Sequence, residues 1–88
     1  MEPETLFVGA SSPVGKLGSA IAHAIYERRD IQLRAIGAGA ISQAVKAIAV
    51  ARGYVAPRGA DLLVRVGFAD VEMPDKVVTA MTFQIIVR

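Results

Sequence analysis

The sequence has no cysteine and no tryptophan, one histidine, and only 6% aromatic residues. Without cysteine no disulfide can staple the fold. A single imidazole with no thiolate leaves a structural zinc site short of ligands, so neither metal nor cofactor is expected. No charge of one sign dominates. Three Lys and seven Arg face four Asp and four Glu, a net +2, and the basic residues are scattered rather than gathered into an arm. Long apolar runs are also missing. The longest is Ala47-Ile48-Ala49-Val50-Ala51, against the roughly 20 residues a membrane-spanning helix requires. The first residues, Met1-Glu2-Pro3-Glu4, are acidic where a secretory signal would be basic. A cytoplasmic protein with no membrane segment is expected.

What the chain does have is apolar side chain. Hydrophobic residues make up 53% of its 88 positions, and mean hydropathy is +0.45. The length fits one domain, residues 1–88. A domain of this size buries only about 60–65% of the surface its unfolded chain exposes. With disulfides and metal excluded, association with a second copy is the common way to cover the surplus.

Periodicity divides the chain into six elements. Thr5 to Ala10 reads as a strand. Ser12 is placed to cap a helix with Pro13 in its first turn, and the helix runs to about Arg29 on a stripe of Leu17, Ala20, Ile21, Ala24 and Ile25. Ile31 to Ile36 alternates as a second strand, with Gln32 and Arg34 opposite Ile31 and Leu33. Gly37-Ala-Gly39 makes a turn, and a second helix covers Ala40 to Arg52, stopped by Gly53 with Pro57 beyond. Asp61 to Met73 and Val77 to Arg88 read as two long strands around a Met73-Pro74-Asp75-Lys76 turn. The order β-α-β-α-β-β, with right-handed crossovers, predicts an α/β two-layer sandwich: a four-stranded mixed sheet with both helices on one face and the other face bare.

The second helix carries only two charges, Lys46 and Arg52. Ile41, Ala44, Val45, Ile48 and Ala49 make a stripe for the sheet, and Ala40, Ala47, Val50 and Ala51 spread apolar surface around the sides. A helix apolar nearly all round is usually covered on both sides. Those four residues are therefore expected at a subunit interface; the plainer alternative is an alanine-rich helix chosen for propensity.

Three chemistries merit weighing. Ser19, His23 and Glu27 share a helix face at i, i+4, i+8, but side chains on one regular helix project in parallel and do not converge as a triad. Gly37-Ala-Gly39 opens a helix after a strand, with Asp61 downstream, yet Ser42 stands where a dinucleotide fingerprint needs its third glycine. A tight turn with close packing explains those glycines more simply. No enzyme activity or small-molecule substrate is expected. On the bare sheet face, Arg34, Arg65 and Arg88 would stand with Gln32, Gln84 and Phe7, while Lys16 and Arg58 lie in or beside loops. Arginine with polar neighbours and an aromatic suits phosphate contact and base stacking, although any exposed sheet face carries such residues.

The block Ile36-Gly-Ala-Gly-Ala-Ile-Ser-Gln-Ala-Val-Lys-Ala-Ile-Ala-Val-Ala-Arg-Gly-Tyr-Val-Ala-Pro-Arg-Gly-Ala-Asp-Leu62, with Ser11-Ser12-Pro13 and the total length, closely resembles the stage V sporulation protein S family. That family is similar in fold to the Alba nucleic-acid-binding proteins. The resemblance implies a bacterial cytosolic regulator linked to sporulation or cell-division control, without known catalysis, and a homodimer or higher oligomer. In Alba-like proteins a lysine near the first loop and the hairpin between the last strands contact nucleic acid. Carried over, these positions fall on Lys16 and on Pro74-Asp75-Lys76, where only Lys76 is basic and Glu72 and Asp75 flank the tip. The nucleic-acid contacts expected are thus Lys16, Arg34, Arg58, Arg65, Lys76 and Arg88. A protein-interaction module without nucleic acid is the alternative.

Overall fold

In the computed structural model, which describes residues 3–88, the chain runs β1 (Glu4–Val8), α1 (Val14–Tyr26), β2 (Ile31–Ala35), α2 (Ala38–Val55), a 3₁₀ turn (Ala56–Arg58), β3 (Leu62–Glu72) and β4 (Val77–Val87). Met1 and Glu2 of the acidic start lie outside the described residues. The expected element order is present. The sheet order is β1-β2-β4-β3, with β1 parallel to β2 and β4 antiparallel to both of its neighbours.

Alternation in β2 sorts the side chains, and strand register carries the sorting across the sheet. Ile31, Leu33 and Ala35 are buried beneath the helices. Leu33 sits between Leu6 of β1 and Phe83 of β4. With Ile21 and Val55, Leu33 is among the largest fully buried side chains. Each such aliphatic side chain stabilises the fold by roughly 1.5–3 kcal/mol relative to exposure.

Helix boundaries depart from expectation in four places, one being that α2 starts at Ala38 rather than Ala40. Ser12 does not cap α1. Pro13 occupies the cap position in an extended conformation with no side-chain bond, and Ser12 Oγ accepts the Gly9 N–H at 2.9 Å, tying the β1–α1 loop to itself. Helix α1 ends at Tyr26 rather than Arg29. Arg28 takes a left-handed φ of 58°, and the Arg28 and Arg29 amides turn back to the Ile25 and Ala24 carbonyls at 3.0 and 2.9 Å. Helix α2 does not stop at Gly53, which is itself helical. The chain leaves helical structure at Gly59, with φ 82°, after the turn containing Pro57.

The orientation of α2 also differs, and this corrects the expected interface. Ala40, Ala44, Ala47, Ala51 and Val55 form its buried stripe, each 3% exposed or less. Ala40, Ala47 and Ala51 are therefore covered by their own chain and are not free to meet another subunit. Val50 is half-buried and packs on α1 at Gly18. Val45, expected on the sheet, is 52% exposed. The reason is steric: α1 and α2 approach closely at Gly18, where Val50 fits because α1 offers no side chain there, and alanine fills most of the buried stripe.

Strands β3 and β4 outrun the rest of the sheet. β2 pairs with β4 only between Gln84 and Met81, whereas β3 and β4 stay paired out to Glu72 and Val77. Four further residue steps at ~3.4 Å each project the hairpin by about 14 Å. The molecule measures 45 × 29 × 17 Å.

Candidate nucleic-acid interface

The six basic residues expected to contact nucleic acid fall in three places. Lys16 is exposed in the first turn of α1, which starts beyond the C-terminal end of β1. Lys76 is exposed at the hairpin turn, where the Met73 N–H donates to the Lys76 carbonyl at 2.7 Å. The hairpin projects past the end of β2, so both lysines belong to one end of the molecule. Arg58 and Arg88 belong to the other. Arg58 lies on the Tyr26 ring in the turn after α2, and Arg88 pairs its backbone with Asp61 through two bonds of 2.8 Å at the start of β3. Arg34 and Arg65 lie between the two ends, on the sheet face that bears no helix.

Register builds that open face row by row. Phe7, Arg34, Thr82 and Gly67 follow one another across β1, β2, β4 and β3. The adjacent row reads Thr5, Gln32, Gln84 and Arg65. Phe7 is 66% exposed. A Cβ at Gly67 would come within 3.2 Å of Thr82 Oγ1, so glycine keeps the sheet low beside Thr82. Arg34 is half-buried, and its Nε has no acceptor among the described residues. Neither Arg34 nor Arg65 pairs with a carboxylate among the described residues.

The charge on the two faces is segregated. Glu4 stands opposite Ile31, Asp70 opposite Thr79 and Glu72 opposite Val77, all on the helix side of the sheet. Every described strand carboxylate is thus on the face away from Arg34 and Arg65. The expected sheet platform therefore comes together around Arg34, Arg65, Gln32, Gln84 and Phe7; Arg88 shares their strand parity but stands four residues beyond Gln84, at the end of β4, and Arg58 is not on the sheet. The exclusion of acids from one parity of all four strands was available from alternation alone, and composition hides it because the acids elsewhere nearly cancel the charge.

The hairpin is less favourable to an anion. The hairpin carries Asp70, Glu72 and Asp75 against the single Lys76, and Thr79 Oγ1 donates to Asp70 at 3.3 Å. The other constellations read from sequence resolve into packing. His23 meets Tyr26 edge to face at 6.1 Å between centroids, and Glu27 binds Arg29 at 2.9 Å, so Ser19, His23 and Glu27 form no triad. Gly37 has φ 88°, and a Cβ on Gly39 would lie 3.0 Å from that of Ala10. Tight turning and close packing account for both glycines. Asp61 faces Arg52 at 3.7 Å. No helix among the described residues is long and apolar enough to cross a membrane.

Comparison with known proteins adds two findings. The model of a family described as stage V sporulation protein S matches residues 4–88. The fold is similar to the solved structure of Alba from Thermoplasma volcanium, with a TM-score of 0.61 at 20% sequence identity, over 96% of this chain and 98% of that one. At that identity the likeness speaks for the fold alone.

Proposed function

This chain belongs to the stage V sporulation protein S family, and from that premise we propose that it is a non-enzymatic cytoplasmic regulator that binds single-stranded nucleic acid on its open sheet face. The observation that carries this reading is the face itself: Arg34 and Arg65 without ion-pair partners among the described residues, flanked by Gln32, Gln84 and the exposed Phe7, with every described strand carboxylate on the other side. Arginine supplies phosphate contacts, the amides can read base edges, and an exposed ring offers a stacking surface indifferent to sequence. Lys16 and Lys76 lie beyond this face, at the hairpin end of the molecule. The acidic residues around Lys76 make the hairpin a poor principal contact, so this reading gives the sheet face the leading role. Titration of a fluorescent single-stranded oligonucleotide tests it: binding should weaken in Arg34→Gln and Arg65→Gln and be unaffected by Arg88→Gln.

The same reading takes the protein as a homo-oligomer whose interface lies elsewhere than on the alanines of α2. Val66 and Phe68 stand on the helix side of β3 where no helix reaches, and they are 56% and 76% exposed. Ile41, Ile48, Val64 and Met81 pack only partly against the core, and Val45 and Val77 are exposed. A second copy covering this apolar surface would supply the burial a small domain lacks. It would also double the charge to +4, twice the +2 of one chain.

A further inference from the structure

At the end of the molecule away from the hairpin tip, the C-terminus of α1, the start of β2, the turn after α2 and the end of β4 enclose a cleft of about 710 Å³. Its apolar lining is mostly aliphatic: Ile25, Ile86 and Val87 offer surface beside the Tyr26 ring, over the buried Ile31, Val55 and Ile85. Arg28, Arg29 and Arg58 line it too, against a single acid, Asp30.

The three guanidinium groups differ in what they have left to offer. Arg29 is occupied: it binds Glu4 and also Glu27, at 2.9 Å. The hydrogen bond that Arg29 donates to the Glu4 carboxylate is the main reason its proton is held more tightly than usual. Arg28 and Arg58 have no carboxylate partner among the described residues. Arg58 stacks on Tyr26, 3.8 Å from the ring centroid, and the Tyr26 hydroxyl donates to the Tyr54 carbonyl at 3.1 Å. The stacked guanidinium is fixed in plane while its N–H edges stay available. Arg28 is the sole non-glycine with positive φ among the described residues. It closes α1 at the position where glycine is the usual choice. A side chain held in that strained conformation costs stability, and such residues gather at binding sites.

We propose that this cleft binds a small organic anion, with a phosphate, carboxylate or sulfonate head held between Arg28 and Arg58 and an apolar body on the aliphatic lining. The cleft volume falls within the ~300–1,000 Å³ range of small-molecule sites. An inorganic anion would leave the aliphatic surface wet, and a neutral apolar molecule would leave two guanidinium groups unmatched. The ligand is of a different class from nucleic acid, and the cleft does not depend on Arg34 or Arg65.

The test is a ¹H–¹⁵N NMR titration of the full chain with 8-anilinonaphthalene-1-sulfonate, and separately with inorganic phosphate. The sulfonate should shift the Arg28, Arg58, Ala60 and Val87 amides saturably, and inorganic phosphate should bind there far more weakly. Arg28→Gly separates site from scaffold. Glycine suits the left-handed backbone, so its thermal midpoint should equal or exceed that of the parent, while sulfonate affinity at the cleft falls about tenfold, the scale of one charge-assisted hydrogen bond. Arg58→Gln should weaken the same shifts. Shifts confined to the exposed strip around Val66 and Phe68, or undiminished binding by Arg28→Gly, would overturn the proposal.

Discussion

Gly18 of α1 lies directly against Val50 of α2: a Cβ built on Gly18 would come within 2.6 Å of Val50 Cγ1 and 3.1 Å of the Ala47 carbonyl oxygen. The inter-helix spacing therefore rests on a missing side chain. It also explains why four of the five residues in the buried stripe of α2 are alanine.

Gly18→Ala is accordingly expected to destabilise the fold by about 1–3 kcal/mol through overpacking, although alanine is the better helix former. At this chain length each kcal/mol lowers the melting temperature by roughly 4–8 °C. Thermal unfolding followed by circular dichroism reads the effect. Adding Val50→Ala should recover part of the loss, because it removes the nearest atom; an additive loss would place the conflict elsewhere.

Ala47→Glu should unfold the monomer rather than merely separate subunits. Ala47 has no solvent exposure, and an unpaired carboxylate there costs several kcal/mol, a large share of the ~5–15 kcal/mol total stability. Phe68→Asp is the contrasting variant. Its side chain is 76% exposed, so far-UV circular dichroism should stay native while light scattering reports a smaller assembly. A folded Ala47→Glu variant, or an unchanged mass for Phe68→Asp, would contradict the placement of these surfaces.

Phe7→Ala separates binding from stability on the sheet face. At 66% exposure the ring contributes little to the core, so the melting temperature should hardly move. Loss of one stacked base should weaken oligonucleotide binding by about 1–3 kcal/mol. Equal affinity in Phe7→Ala and parent would remove stacking from the account.

The sequence makes the element order, the mixed sheet and the sorting of β2 and β4 legible, because alternation at strand period is unambiguous when one face is buried. It misleads on α2 for a physical reason. Alanine and valine occur on every side of that helix, so the apolar pattern has no clear direction. The choice of Ala44 and Ala47 for the inside and Val45 for the outside follows from the inter-helix distance at Gly18, a tertiary fact. Gly53 misleads in a related way: glycine is tolerated inside a helix held by packing, and Gly59 is the residue that takes the left-handed backbone. Of the expected contacts, Arg34 and Arg65 were legible by strand parity. Arg88 belonged to the far end by the direction of β4, whereas Arg58 could be assigned there only once the course of α2 was known. The cleft at Arg28 escaped the sequence because two adjacent arginines near a helix end look like ordinary partners of the helix dipole.

The central claim is that Arg34 and Arg65 make the open sheet face a site for single-stranded nucleic acid. Its most direct measurement is the affinity for a single-stranded oligonucleotide across a salt series, for the parent and for Arg34→Gln/Arg65→Gln. Each phosphate contact contributes about −0.7 to the slope of log K against log salt. The parent should bind with a modest negative slope, and the double variant should bind more weakly with a slope shallower by about 1.4, while melting like the parent. Parent and variant curves that superimpose, or no binding by folded parent even at low salt, would contradict it.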